Sequence, residues 1–364
     1  MHFPIKLIAR SEPSRCLRWV SPVAALVLTV VAGALLFAVL GKNPLASLYV
    51  FLVAPLETLR GWCEVGVKMT PLLLCAVGLT MCYRANVWNI GAEGQLLAGA
   101  VLGGWAALQC PEGAGSWYIL VVLIAGALGG ALWGAVTALL KDRFHANEIL
   151  VSLMLVYVAQ FFLAWCVQGP LQDPEGLGFP QSPIFAASAS LATLPGLGRR
   201  GIKNAVLTNK PNAVACALMM NKMFIGFQIK VSGMAPMAAK YAGFKPPRLL
   251  WTVMLASGAL AGLAGISEAA GPVGQLTLNL SPGYGFAAII VAFAGRLSPV
   301  GCIPAAFILA LFYLGGELGQ SRLGLPSSIT GVYQGLLLFF LLLCDVWIFY
   351  KPVWCGFTRK GSLK

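Results

Sequence analysis

The chain has 364 residues, of which 59% are hydrophobic and only 10% charged, with a mean hydropathy of +0.82; a soluble globular protein carries about 25% charged residues, so an enzyme working in water is excluded. The formal net charge of +13 does not point to nucleic acid, because the charges sit between apolar runs and no basic stretch is interleaved with aromatics; flanks facing anionic lipid headgroups account for it. Apolar runs spread from residue 20 to residue 350 leave no polar stretch long enough to fold alone, which makes one membrane domain.

In chain order, Met1 to Trp19 is basic and precedes an apolar run longer than a signal-peptide core, so it reads as the flank of a retained first span. A spanning helix needs roughly twenty predominantly apolar residues, and candidates lie at 20–41, 66–83, 92–109, 117–140, 148–168, 248–270, 299–318 and 330–350. Gly285 to Gly295 is apolar but short, which suggests a re-entrant or tilted segment, and a further crossing is needed between Arg199 and Phe227. The expectation is an all-α polytopic integral membrane protein of about ten transmembrane or re-entrant helices.

Lys and Arg in short loops set orientation. Lys6, Arg10, Arg15 and Arg18, then Arg84, Lys141, Arg143, Lys222, Lys230, Lys240, Lys245, Arg248 and Arg296, and finally Lys351, Arg359, Lys360 and Lys364 share one side only if ten segments cross. That side is the cytoplasm, with both termini in it: a cytoplasmic N-terminal segment, 1–19, and a cytoplasmic basic tail, 351–364. Lys42, Arg60, Lys68, Arg199, Arg200, Lys203, Lys210 and Arg322 are left outside.

Small residues let helix backbones approach in lipid. Gly126, Gly130 and Gly134 repeat along one face of the fourth span, and Gly258, Gly262 and Gly265 do much the same in the seventh; tight contact within the subunit is preferred to a dimer interface. The loop from Gln168 to Leu197, rich in Pro, Gly and Ser, reads as an external segment without a core of its own. Among the ten cysteines, Cys75, Cys82, Cys216, Cys302 and Cys344 lie in or beside apolar runs and no C-x-x-C pair occurs, so they read as small buried apolar residues and no metal site is expected. Glu93, Glu148, Glu268, Glu317 and Asp345 fall near span ends, which favours capping over proton or sodium coupling. Gly196 to Gly201 fits G-x-G-x-x-G without the strand a dinucleotide site needs. No phosphate-binding G-x-x-x-x-G-K-[ST] loop exists either, so the chain is not expected to hydrolyse ATP or to bind a cofactor.

The most informative stretch runs from Tyr83 to Gln95, where a helix ends at Arg84 and the next begins after a turn carrying Asn89, Gly91, Glu93 and Gln95. A carboxylate near a helix N-terminus is favoured by the dipole, so structural and functional roles are both open for Glu93. Asn89-Ile90-Gly91-Ala92-Glu93-Gly94-Gln95 resembles the NIGAEGQ signature of permease subunits of ATP-binding-cassette importers for nucleosides and simple sugars. Asn147 to Leu155 is similar to that family's NEVIxTLML helix start, with Asn147 also a plausible N-cap; Gly283-Tyr284-Gly285-Phe286 is similar to its GYGF segment; and Gly315-Gly316-Glu317 matches a further station. The resemblance covers about 20–350, the implied transmembrane permease domain. It implies Asn89, Gly91, Glu93, Gln95, Asn147, Glu148, Tyr284 and Phe286 as signature and candidate pathway residues.

Between two spans, Pro236 suits the first turn of a short helix and Gly243 its stop. About two turns of Ala-rich helix would be marginal alone; on the residues it is either an ordinary connector or a small surface for close docking. The resemblance implies the latter, a coupling helix at about 234–243 seated in an ATPase subunit, with Gly233, Ala238, Ala239, Lys240 and Gly243 at matching positions.

The pattern fails between Leu197 and Asn221, where Arg199, Arg200, Lys203, Lys210 and Pro211 interrupt the expected sixth span. Replacement of roughly twenty residues there, leaving a damaged crossing, is the reading. By resemblance the chain translocates nucleosides or simple sugars across a bacterial cell membrane. Its implied partners are a cytoplasmic ATP-binding subunit that uses ATP and Mg, a second permease subunit, an extracytoplasmic substrate-binding lipoprotein and membrane lipid. The alternative is an ion-coupled secondary transporter of small polar solutes, which needs carboxylates at the midplane. A membrane enzyme would need partners for His2 or His145, and neither has an obvious one.

Overall fold

Every apolar run proposed above becomes a helix. The structure, a computed structural model, describes residues 5–9, 15–111, 113–176, 178–191, 216, 218–220 and 222–354. Its helices are α1 (Arg15–Val39), α2 (Pro44–Leu48), α3 (Leu59–Arg84), α4 (Ala92–Leu108), α5 (Tyr118–Phe144) and α6 (Glu148–Gln168), then α7 (Phe224–Met234), α8 (Pro236–Tyr241), α9 (Pro246–Glu268), α10 (Tyr284–Ala294), α11 (Cys302–Leu323) and α12 (Ile329–Phe349). Seven of them, within Val20–Val39, Leu59–Arg84, Tyr118–Phe144, Glu148–Gln168, Pro246–Val273, Cys302–Leu323 and Ile329–Ile348, are long and apolar enough to cross a membrane. The protein is a polytopic α-helical membrane protein. The interrupted sixth span and the G-x-G-x-x-G stretch lie outside the described residues, apart from Cys216 and 218–220.

Two units divide the chain. One combines Met1–Val53 with Gly316–Lys364. In it α1 packs against α12, and Phe37, Phe51 and Tyr333 form an aromatic cluster with ring centroids 4.4 to 6.2 Å apart. Gly33 makes room for the Tyr333 phenol, into which a Cβ would run. Ser21 Oγ donates to Asp345 Oδ1 at 2.5 Å, so that acid is held by its neighbour helix. The segments expected as separate tails meet: β1 (Ile5–Ala9) pairs antiparallel with β2 (Tyr350–Trp354), a short ribbon added to the helical architecture.

The other unit, Ala54–Gly315, is built around α9, which packs on α3, α4 and α5. The predicted glycine faces meet inside the subunit: a Cβ on Gly130 would lie 2.6 Å from Gly262 Cα, and one on Gly262 would strike the Gly126 carbonyl oxygen. Gly99 of α4 joins the same crossing, with Gly126 O only 2.7 Å from where its Cβ would be. Backbones this close exchange dispersion contacts that larger side chains would prevent.

Caps set the ends. Thr58 accepts from Gly61 N at 3.1 Å to open α3, and Asn147 accepts from Ile149 N at 2.9 Å to open α6, as its sequence position suggests. Past Glu268, α9 widens into a π turn over Ala269–Val273 that contains Pro272 and stops at Gly274 with φ 78°. The loop after α6 then runs alongside this exit: Ser182 N donates to Leu276 O at 3.0 Å, Phe185 N to Gly274 O at 2.9 Å and Leu191 N to Ala270 O at 2.9 Å. That loop, expected to lie outside without a core of its own, is therefore docked, with Ser182, Phe185 and Leu191 buried.

The short apolar segment, α10, begins at depth along α4. Leu276 packs at Gly104 near one end of α4, whereas Gly285 packs on Glu93 at the other. Those positions are eleven residues apart on α4, about 16 Å at 1.5 Å per residue. The chain descends this depth before α10 begins. Residues 274–283 are non-helical and lead into α10.

Candidate functional site

The turn between α3 and α4 carries a polar knot in an apolar unit. Asn86 takes a left-handed conformation, φ 58°, which reverses the chain after Arg84. Asn89 then points inward, fully buried, and donates from Nδ2 to Gln95 Oε1 at 3.1 Å and to Ser257 Oγ at 3.2 Å. Its Oδ1 accepts from Gly91 N at 3.0 Å, and Tyr83 Oη donates to its carbonyl at 3.0 Å. Ile90 N donates to Ser152 Oγ of α6 at 3.2 Å, and Gly91 is tight against the same residue, with Ser152 O 2.9 Å from where a Cβ would be. One turn thus bonds α3, α4, α6 and α9.

Glu93 adds α10. Its carboxylate is 2% exposed and accepts from Gly285 N at 2.6 Å, 192 positions away in sequence. It sits in the first turn of its own helix and also satisfies an N-terminal amide of α10. Ser281 Oγ accepts from Gly283 N and Tyr284 N at 3.3 and 3.2 Å, so the same helix start has two capping groups. Tyr284 is buried, its ring 5.1 Å from that of Tyr313, while Phe286 is 38% exposed. Of the signature residues, Asn89, Gly91, Glu93 and Gln95 are brought together with Tyr284. Asn147 and Glu148 lie at the start of α6, where Glu148 pairs with Lys141 at 2.5 Å and also accepts from the Trp88 backbone amide in the turn between α3 and α4.

The end of the unit that carries this turn also carries α7 and α8. Asn86, Lys141, Asp142, His145, Ser232 and Pro236 line one cleft of about 300 Å³. The opposite end gathers Gln109, Cys110, Gln172 and Ile184 around a second cleft of about 410 Å³.

Helix α8 has six residues and is held from outside itself. Gly243, φ 79°, is its left-handed stop, with Phe244 N returning to Ala239 O at 3.0 Å. Phe244 in turn stacks edge-on against Phe224 and Phe227 of α7, centroids 5.9 and 6.2 Å away. Ala239, expected among the small residues offered to a partner, is fully buried, since it is the residue α8 seats inward. Met237 and Tyr241 of α8 face outward instead, 68% and 88% exposed and four residues apart on one face, and Met234, the last residue of α7, is 86% exposed next to them in sequence. Ala238 and Lys240 are exposed beside them. Sequence reasoning missed this apolar face because it weighed small residues; the i, i+4 spacing of Met237 and Tyr241 was the available signal. Gly233 is on the inner side as well, where a Cβ would run into the Arg84 carbonyl oxygen.

The family model for the branched-chain amino acid transport system permease component matches residues 63–344. The chain is 32% identical to the glucose ABC transporter permease protein TsgB13 of Haloferax volcanii, over 100% of this chain and 97% of that protein. It is 29% identical to the nucleoside ABC transporter permease protein NupB of Lactococcus lactis, covering 88% of this chain and 89% of the relative. The guanosine ABC transporter permease protein NupP of Bacillus subtilis is 30% identical over 88% of this chain and 92% of its own length.

Proposed function

Since the chain belongs to the branched-chain amino acid transport system permease family and is a permease of an ABC importer, we propose that it carries nucleosides or simple sugars inward, gripped by a cytoplasmic ATP-binding subunit at α8. The observation that carries this reading is the outward face of Met237 and Tyr241 on a helix too short to stand alone, with Met234 exposed just before it. Large apolar side chains in water mark an interaction site, and one mounted on a braced six-residue knob suits a cleft in another protein. Ala238 and Lys240 flank that face; Ala239, Gly233 and Gly243 shape the knob from behind.

Hydrolysis of ATP with Mg belongs to the partner, and this chain contributes no catalytic group or cofactor. A second permease subunit and an extracytoplasmic substrate-binding lipoprotein complete the proposed assembly, the latter meeting the Gln109 end. The cell membrane of a bacterium is the proposed location. Ten crossings with both termini cytoplasmic remain the proposed arrangement. Support comes from α4, α5, α6 and α9 alternating between the two ends of their unit, and from the crossing completed by α10. Leu191 lies at one end and Gly233 at the other, which calls for one more passage between them. The pairing of residues 5–9 with 350–354 supports a shared side for the termini. Within the candidate pathway set, Asn89, Glu93 and Gln95 serve as framework, their polar atoms taken up by helix–helix bonds.

Reconstitution tests the reading. With the ATP-binding subunit and binding protein expressed beside it, the chain takes up radiolabelled guanosine or glucose into proteoliposomes only with ATP on the α8 side. Uptake of either solute by this chain alone, driven by a proton or sodium gradient, overturns it.

A further inference from the structure

If α8 is where a motor grips, some part of the chain must carry the displacement to the helices. Helix α8 packs chiefly on α7, and α7 meets the rest of its unit chiefly at the end of α3. The cleft lined by Asn86, Lys141, His145, Ser232 and Pro236 separates the knob from the loops around it. Backbone meets backbone at Gly233, where a Cβ would collide with Arg84 O and lie 3.2 Å from the Ala85 carbonyl carbon. A side chain at 233 would hold α7 off the turn. Glycine closes the gap.

Arg84 and Ala85 open the turn that holds the knot. Four residues on, Asn89 is bonded to Gln95 and Ser257, and Glu93 to Gly285 N at 2.6 Å. Buried hydrogen bonds of this kind transmit displacement because breaking one leaves unsatisfied polar atoms in a low-dielectric interior. Both sides of the Gly233 contact also carry a buried polar atom without a hydrogen-bond partner among the described residues, Ser232 Oγ and Arg84 Nη1. Such atoms are rare in one settled arrangement. They suit a joint that changes partners when it moves.

We propose that residues 84–95 are the transmission element of the importer: Gly233 passes the movement of α7–α8 to Arg84 and Ala85, and Glu93 passes it to the start of α10. Gly233 and Glu93 are positioning residues in this scheme, and the short helix α10, entered at depth and held at its start by the Glu93 carboxylate, which accepts from Gly285 N and also meets Ser281 and Gly283, is the part that moves. The inference rests on ATPase docking at α8.

Hydrogen–deuterium exchange on the full transporter in nanodiscs, with and without ATP plus vanadate, tests it. In the unaltered complex, trapping changes exchange in peptides covering 84–95 and 283–287. Gly233→Ala, which leaves Met237 and Tyr241 in place, retains the ATPase on co-purification and loses the response in both peptides. Glu93→Leu keeps the response at 84–91 and loses it at 283–287, and Glu93→Gln, whose side-chain oxygen still accepts from Gly285 N, restores it. An undiminished response at 283–287 in Gly233→Ala or Glu93→Leu overturns the transmission role. Should Gly233→Ala fail to assemble, the Glu93 pair decides. Failure of the unaltered chain to retain an ATPase overturns the docking reading itself, a different result from a retained ATPase with no linked response.

Discussion

The crossing of α5 with α9 and the knob formed by α8 are both made of small residues, yet they use them in opposite ways. At the crossing, Gly126, Gly130, Gly258 and Gly262 are pressed backbone to backbone, and a single methyl has nowhere to go. At the knob, Ala239 alone turns inward while Met237 and Tyr241 face out, and Gly243 meets nothing where a Cβ would be. The first region is closed by packing; the second is braced at one point and open elsewhere. Smallness in a sequence therefore signals close approach without saying to what: a neighbouring helix in one case, the helix's own supporting loop in the other.

That contrast breaks most visibly at Gly262. Gly262→Val forces side-chain atoms into the Gly126 carbonyl and should cost about 3 kcal/mol or more, seen as loss of monodisperse protein on size exclusion in detergent. A folded, normally melting variant would mean that the helices are less tightly joined than described. The counterpart at the knob is Met237→Asp with Tyr241→Asp, where both side chains are exposed. Stability should change by less than about 0.5 kcal/mol per site, while ATPase co-purification and ATP-driven uptake are lost; retained co-purification would return α8 to the status of a connector.

Two smaller effects sharpen the comparison at the turn between these regions. Asn89→Ala strands the partners of a fully buried amide and should lower stability by about 1–3 kcal/mol, read from thermal unfolding in nanodiscs. Lys141→Met removes a partly buried ion pair with Glu148, the two side chains 28% and 17% exposed, and should cost about 1 kcal/mol, shrinking as salt is raised. An Asn89→Ala cost as small as that of Lys141→Met would show that the knot holds little.

Much of this architecture was legible in the residues. Apolar run length located every helix from α3 to α6 and from α9 to α12, because a bilayer imposes a length on whatever crosses it. Four-residue glycine spacing located the α5–α9 crossing, and Asn147 marked the N-cap of α6. What escaped were relations between distant residues. Nothing local says that Glu93 bonds Gly285 rather than capping its own helix alone, since a first-turn carboxylate is favourable either way. Gly285 to Gly295 read as short because hydropathy registers helix length and not the irregular, non-helical stretch from Leu276 that precedes it. In α8 Ala238 and Ala239 are both small, so its inner face could be assigned only once Phe244 and Gly243 were seen to fix its rotation.

The most direct test of α8 as the motor's grip is a photo-crosslinking amino acid at Tyr241 in living cells, with the adduct identified by mass spectrometry. Tyr241 is 88% exposed and stands clear of its own chain. The account predicts one dominant adduct, to a cytoplasmic ATP-binding subunit. Adducts only to lipid, or to a protein on the opposite side of the membrane, would contradict it.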